Sequence, residues 1–191
     1  VRTDTPVDGE NRWQFRKGLI LDKLTAEQPD VIGFQETTPV MADFIKKYMP
    51  AYWFVGCGRN ADYLGENNMI GFKPDKYELI ELETFWLSET PDVPGSRYAN
   101  QSVCPRVCTH AVLRPLDGGT MFHAYNTHLD HISDEARRMG ARAILDHMAR
   151  DLKRRPLPLT LTGDMNAYPD SAPIQEFLND KTVHLTNQTP D

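Results

Sequence analysis

The sequence predicts an α/β (α+β) domain, on three observations. Helical and extended patterns alternate along the chain. Two β-like runs, Arg106–Arg114 and Thr120–Asn126, flank Pro115-Leu116-Asp117-Gly118-Gly119, which reads as an antiparallel hairpin. Several strands run out into polar groups of the same kinds: carboxylates, amides and imidazoles.

The elements follow in order. Residues from Asn11 to Leu24 carry Ile20, Leu21 and Leu24 on one helical face, and Gln28-Pro29-Asp30 stops that helix. Val31-Ile32-Gly33-Phe34 is a short apolar run ending in Gln35-Glu36, the pattern of a buried strand. Thr38-Pro39 is an N-cap followed by proline at the first helical position, with Met41, Phe44, Ile45 and Tyr48 as the apolar face. Short β-like runs follow at Tyr52–Val55, Met69–Phe72 and Tyr77–Leu87. Ser88 to Pro105, with three prolines and a glycine, reads as a long surface loop. Ser133 caps the clearest helix, with Asp134 and Glu135 at its positive end. Its buried stripe is Ala141, Ile144, Leu145, Met148 and Leu152, and its basic last turn ends at Pro156. Leu157–Leu161 is the last strand and Ser171–Leu178 a short final helix.

Composition narrows the class. The chain has 191 residues, 40% of them hydrophobic and 25% charged, with a net charge of −6. That suits one globular domain and excludes collagen, coiled coil and disordered chains. No apolar run reaches the ~18 residues of a membrane span, and no export signal opens the sequence, so the expected compartment is cytoplasmic. The acidic balance argues against binding nucleic acid by charge alone, so a phosphate substrate calls for local handling through a metal ion. Cys57, Cys104 and Cys108 are too few for a disulfide framework. Cys104 and Cys108 with a histidine make an unpersuasive zinc set beside ordinary buried thiols.

Val31–Phe34 leads to Glu36. Thr120–Tyr125 runs into Asn126-Thr127-His128-Leu129-Asp130-His131. Leu157–Leu161 leads to Asp164 and Asn166. Loops at such strand ends converge on one crevice. Glu36 and Asp164 are hard oxygen donors that suit Mg²⁺ or Mn²⁺ better than zinc. Asn166 offers an amide to a developing oxyanion, and His128 a donor to phosphate or a proton carrier. Together they fit attack of water on a phosphate ester. Each also has a plainer reading: a solvated glutamate, an Asx-turn at Asp164, a packing histidine.

Three segments, Pro29-Asp30-Val31-Ile32-Gly33-Phe34-Gln35-Glu36, Asn126-Thr127-His128-Leu129-Asp130-His131 and Leu161-Thr162-Gly163-Asp164-Met165-Asn166-Ala167, resemble in order the endonuclease/exonuclease/phosphatase (deoxyribonuclease-I-like) superfamily. Arg12-Trp13 with Arg16, and Thr84 to Pro91, resemble an uncharacterised bacterial branch. The resemblance implies a four-layer α/β/β/α sandwich with two facing mixed sheets, and a divalent-metal-dependent hydrolase of phosphate esters. It implies that Glu36 holds Mg²⁺ or Mn²⁺, His128 contacts the scissile phosphate, Asp164 orients or activates the attacking water and Asn166 steadies the transition state. Asn126 and Arg106 are implied as supporting substrate-binding groups. The substrate class stays open among nucleic-acid phosphodiester, phospholipid headgroup and small phosphate ester, and no obligate protein partner is evident. Against the family pattern, residues 1–191 read as a single domain lacking its first strand, with its asparagine, and a C-terminal part carrying an aspartate and an Asp-His pair.

Two alternatives remain open. His128-Leu129-Asp130-His131 resembles the end of the metallo-β-lactamase zinc motif, although Asn126 stands where that motif has histidine. A non-catalytic binding module on the same fold has no need to keep Glu36, His128, Asp164 and Asn166 together.

Overall fold

The computed structural model describes residue 2 and residues 4–188. A short 3-10 helix (Pro6–Asn11) precedes α1 (Trp13–Glu27), β1 (Val31–Gly33), α2 (Pro39–Tyr48), β2 (Trp53–Val55), β3 (Ile70–Phe72) and β4 (Tyr77–Trp86). The chain continues through β5 (Val107–Pro115), β6 (Phe122–His128), α3 (Asp134–Arg154), β7 (Leu159–Asp164) and α4 (Ala172–Leu178).

The strands form two sheets, ordered β1-β3-β2 and β4-β5-β6-β7. The larger sheet is mixed, because β7 runs parallel to β6 while the other pairs are antiparallel. The smaller is antiparallel throughout, since β1 and β2 both flank β3. Three apolar layers follow from the side-chain alternation of these strands. Ile70 and Phe72 of one sheet meet Ala111, Leu113 and Ala124 of the other. The outer face of the small sheet is covered by Met41, Ala42 and Ile45 of α2 and Trp13 of α1. The outer face of the large sheet, with Phe85, Cys108 and Tyr125, packs on Ala141, Ile144, Leu145 and Met148 of α3 and Phe177 of α4. The result is the α/β/β/α sandwich. Cys108 sits fully inside the last of these layers, and burial pushes its thiol pKa well up, as an inert core thiol.

Sequence patterning locates the four α-helices to within a few residues, because caps and prolines mark their ends, but it gave no sign of the 3-10 helix Pro6–Asn11. Ser133 accepts a hydrogen bond from the Ala136 N–H at 3.1 Å, as an N-cap should. Two boundaries differ in a way that matters. β6 runs on to His128 and β7 to Asp164, because their parallel register continues to the pair His128–Asp164. Polar side chains hid this extension from an apolar-run reading. The segment from Ser88 to Pro105 is irregular, yet Ser88, Tyr98, Gln101 and Ser102 are buried, so it is a pinned connection and not a loose surface loop.

One glycine lets the two sheets approach. A Cβ on Gly33 would lie 2.2 Å from Thr162 Oγ1 and 2.6 Å from Asn126 Oδ1, both on the opposing sheet. No described helix is long and apolar enough to cross a membrane.

Candidate active site

The ends of β1, β6 and β7 meet at one edge of the sandwich. Glu36, His128 and Asp164 each bring a potential ligand atom within 4.8 Å of the others, although the chain separates them widely. Parallel pairing sets His128 beside Asp164, and the Leu129 N–H donates to the Asp164 carbonyl at 2.9 Å. His128 Nε2 lies 3.9 Å from Asp164 Oδ2.

Two residues of this group hold left-handed backbone conformations: Glu36 at φ 56° and Asn166 at φ 47°. For non-glycine residues such conformations cost about 1–3 kcal/mol and cluster at functional sites. At Asn166 the turn is held by its own N–H, which donates to Asp164 Oδ1 at 2.9 Å. The Asx-turn therefore exists, and it aims the Asn166 side chain back at β6. The Asn166 amide donates to His128 Nε2 at 2.9 Å and to the Leu129 carbonyl at 3.0 Å. With Nε2 accepting, a neutral His128 carries its proton on Nδ1. Burial, and then the nearby Arg106 guanidinium, lower the His128 pKa to about 4, against the opposing pull of Asp164 and Glu36. The ring is neutral at pH 7.

Arg106 immediately precedes β5 and is almost fully enclosed. Its Nη2 donates to His131 Nδ1 at 2.7 Å, while Nε and Nη1 are buried without a hydrogen bond. Nε lies 3.7 Å from the buried Asp130 Oδ1, so the guanidinium charge is paired, while its buried N–H groups remain open to a further acceptor. Asn126 sits elsewhere. It has no exposed surface, and its amide donates to the Phe34 carbonyl at 2.8 Å and the Met69 carbonyl at 3.1 Å. Its Oδ1 accepts from Gln35 Nε2 at 2.6 Å and Thr162 Oγ1 at 3.1 Å. All its hydrogen-bonding groups are engaged. Asn126 thus ties the two sheets together, and the substrate-binding role expected of it would require one of these bonds to be exchanged.

Two further contributors were given no role from the sequence, although Asp130 lies in the Asn126–His131 segment. Asp130 accepts from the Ser102 hydroxyl, the Ser102 N–H at 3.3 Å, the Ile132 N–H at 3.1 Å and the Ser133 N–H at 2.9 Å. Burial alone would raise its pKa, but these donors hold it down to about 2. Asp130 thus fixes the turn between β6 and α3 and pins the Ser88–Pro105 connection to the site. Arg59, paired with Glu66 at 2.6 Å, adds its positive field at His128. It stands in an irregular, glycine-containing segment that has no periodicity to read.

The chain matches the Endonuclease/Exonuclease/phosphatase family over residues 7–190, and it belongs to that family. A crystal structure of an endonuclease/exonuclease/phosphatase from Bacteroides vulgatus is 32% identical, with a TM-score of 0.88, covering 95% of this chain and 69% of its own. A mannosyl-6-phosphatase from Bacteroides thetaiotaomicron is 30% identical, with a TM-score of 0.88, covering 93% of this chain and 67% of its own. Among curated proteins, an uncharacterized protein of Acanthamoeba polyphaga mimivirus is 26% identical over 125 residues, 62% of this chain and 47% of that protein. The chain thus spans under half the length of that curated relative. Membership in this family sets aside the metallo-β-lactamase resemblance of the His128–His131 segment.

Proposed function

We propose that the protein hydrolyses a phosphate ester with a divalent ion, Mg²⁺ or Mn²⁺, held by Glu36. The single observation behind this reading is the convergence of Glu36, His128 and Asp164 within 4.8 Å at the strand ends. Two hard carboxylates beside an imidazole suit such an ion, which when bound neutralises phosphate charge. Asp164 takes the proton of the attacking water as its oxygen bonds to phosphorus. The ester P–O bond breaks, and the departing alcohol oxygen gains a proton from solvent. Asn166 and Arg106 supply N–H groups to the non-bridging oxygens, where charge accumulates. For Asn166 this means exchanging its bond to His128 for one to the substrate.

The resemblance to a mannosyl-6-phosphatase favours a phosphomonoester, such as a sugar phosphate, over a nucleic-acid diester. The net charge of −6 points the same way. The test is hydrolysis of p-nitrophenyl phosphate and bis-p-nitrophenyl phosphate by the full-length gene product, with Mg²⁺, with Mn²⁺ and after chelation. Metal-dependent turnover with the monoester preferred supports the reading. Turnover that survives complete chelation refutes it.

A further inference from the structure

The catalytic edge holds two enclosed guanidinium groups as well as its carboxylates. Arg59 stands in the β2–β3 connection and Arg106 at the end of the β4–β5 connection. Because β3 runs antiparallel to β1 and β2, and β5 antiparallel to β4 and β6, both connections cross the edge where Glu36, His128 and Asp164 meet. Backbone bonds then fix Arg59 between the other groups. Its N–H donates to the Glu66 carbonyl at 3.0 Å, in a turn also closed by the Gly58 N–H and the Tyr63 carbonyl at 2.9 Å. Asn67 follows Glu66 and exchanges backbone hydrogen bonds of 2.9 and 3.4 Å with Thr37, the neighbour of Glu36. On the other side, the Trp86 indole N–H donates to the Arg59 carbonyl at 2.6 Å, and the Leu87 N–H to the Arg106 carbonyl at 2.8 Å. Consecutive residues at the end of β4 thus hold the backbones of both arginines.

Their side chains are held differently. Arg59 Nη1 meets Glu66 Oε2 at 2.6 Å, with 14% of the Arg59 side chain open to solvent, so the ion pair sets the direction of the guanidinium. Arg106 is the less satisfied of the two. Asp130 already accepts from Ser102, Ile132 and Ser133, and Arg106 Nε stops 3.7 Å from its Oδ1 without a hydrogen bond. His131 Nδ1 takes Nη2, while Nη1 has no partner among the described residues. A buried donor without an acceptor is costly, so two on one side chain point to an acceptor that the described residues do not supply. The two guanidinium charges also reach each other: burial, and next the Arg59 charge, lower the Arg106 pKa. Both charges are felt at His128 as well. A bound anion relieves the open donors and the repulsion together.

We infer that Arg59 and Arg106 together receive the second negative charge of a phosphomonoester, and that Arg59 is the residue that sets a preference for monoesters over diesters. The inference rests on the phosphate-ester function proposed for this site. Near pH 7 a phosphomonoester carries about 1.5 to 2 negative charges, whereas a diester carries a single one. The carboxylate site and Asn166 serve either substrate. A second guanidinium rewards only the one with the extra charge, and the planar fork of arginine suits phosphate oxygens. Arg106 brings the open N–H groups, and Arg59 adds the charge that distinguishes the two esters.

The plainer role for Arg59 is to clamp its own turn through Glu66. The experiment compares kcat/KM for p-nitrophenyl phosphate and bis-p-nitrophenyl phosphate in the full-length gene product with Mg²⁺. Arg59→Gln is expected to lower the monoester-to-diester ratio at least tenfold, and Arg59→Lys, which keeps the charge, to restore most of it. Glu66→Gln removes the clamp and keeps the Arg59 charge, so the ratio is expected to survive. An unchanged ratio in Arg59→Gln, or an equal loss in Arg59→Lys or Glu66→Gln, overturns the assignment. Calorimetry with inorganic phosphate and Mg²⁺ gives a readout without turnover. Arg59→Gln is expected to weaken phosphate binding at least tenfold, and equal affinity overturns the assignment. If the unmutated protein hydrolyses neither ester, the phosphate-ester function fails on its own, and the phosphate titration still judges the two arginines. If Arg59→Gln does not fold, the unmutated protein decides: inorganic phosphate is expected to bind at least tenfold more tightly than dimethyl phosphate, and equal binding overturns the inference.

Discussion

Two polar groups share the strands of the larger sheet and solve burial in opposite ways. At the catalytic edge, Glu36 and Asn166 accept backbone strain, and Asp164 remains half-exposed, with 48% of its side chain open to solvent. Beneath α3, His110, His147 and Asp151 are enclosed in regular structure, with Asp151 and His147 both bonded to the Tyr125 hydroxyl and His110 bonded to His123. The first region keeps donors and acceptors available for a substrate that comes and goes. The second turns its polar groups on one another, away from solvent except at Glu83 of β4. Strained loops beside open carboxylates favour turnover, whereas enclosed, stacked rings between a helix and a sheet favour fixed packing.

Changes at the two regions should therefore fail differently. The largest effect is expected for Asp164→Asn, which removes the proton acceptor. kcat should fall by about 10²–10⁴-fold while KM changes little. Steady-state kinetics check this, and an effect on KM alone would make Asp164 a binding group. Stability should suffer most at Asp130. Asp130→Ala leaves the Ser102, Ile132 and Ser133 donors without their acceptor, at a cost of about 2–4 kcal/mol by urea unfolding. Loss below ~0.5 kcal/mol would show that the Ser88–Pro105 connection is not held this way.

A smaller effect separates the regions by pH. Burial, the leading cause, lowers the His110 pKa from 6.5 to about 4 in the folded chain. The unfolded chain then binds more protons between those values, so the stability linked to His110 is complete above pH 6.5 and lost as pH falls towards 4. His110→Gln should flatten this slope, by up to about 3 kcal/mol across the window. Equal slopes in the two proteins would mean that His110 titrates normally. The smallest change in fold is expected for Glu36→Ala, under ~1 kcal/mol, because Glu36 is only partly buried.

The two regions also differed in how far the sequence exposed them. Glu36, His128, Asp164 and Asn166 lie in short segments where an apolar run ends in polar residues, and that pattern carries the site. Their convergence required only that the strands end together. The true ends of β6 and β7 stayed hidden, because hydrogen-bond register and not hydrophobicity extends them to His128 and Asp164. Asn126 was read as a supporting site residue because its segment resembles the family; the sequence did not show that its amide is taken up by the Phe34 and Met69 carbonyls. The histidine group was invisible for a stronger reason. It depends on the register that sets His110 opposite Tyr125, and on which face of α3 meets the sheet. His147 and Asp151 sit among apolar stripe residues, where sequence patterning expects packing alone.

The central claim is that Glu36, His128 and Asp164 form one metal-dependent hydrolytic centre. It is tested most directly by assaying p-nitrophenyl phosphate turnover in full-length Glu36→Ala beside the unmutated protein, across a Mg²⁺ and Mn²⁺ titration. The account predicts that metal-stimulated turnover disappears in the variant while its unfolding curve stays nearly unchanged. Metal-dependent turnover at the unmutated rate in a folded Glu36→Ala protein would contradict it.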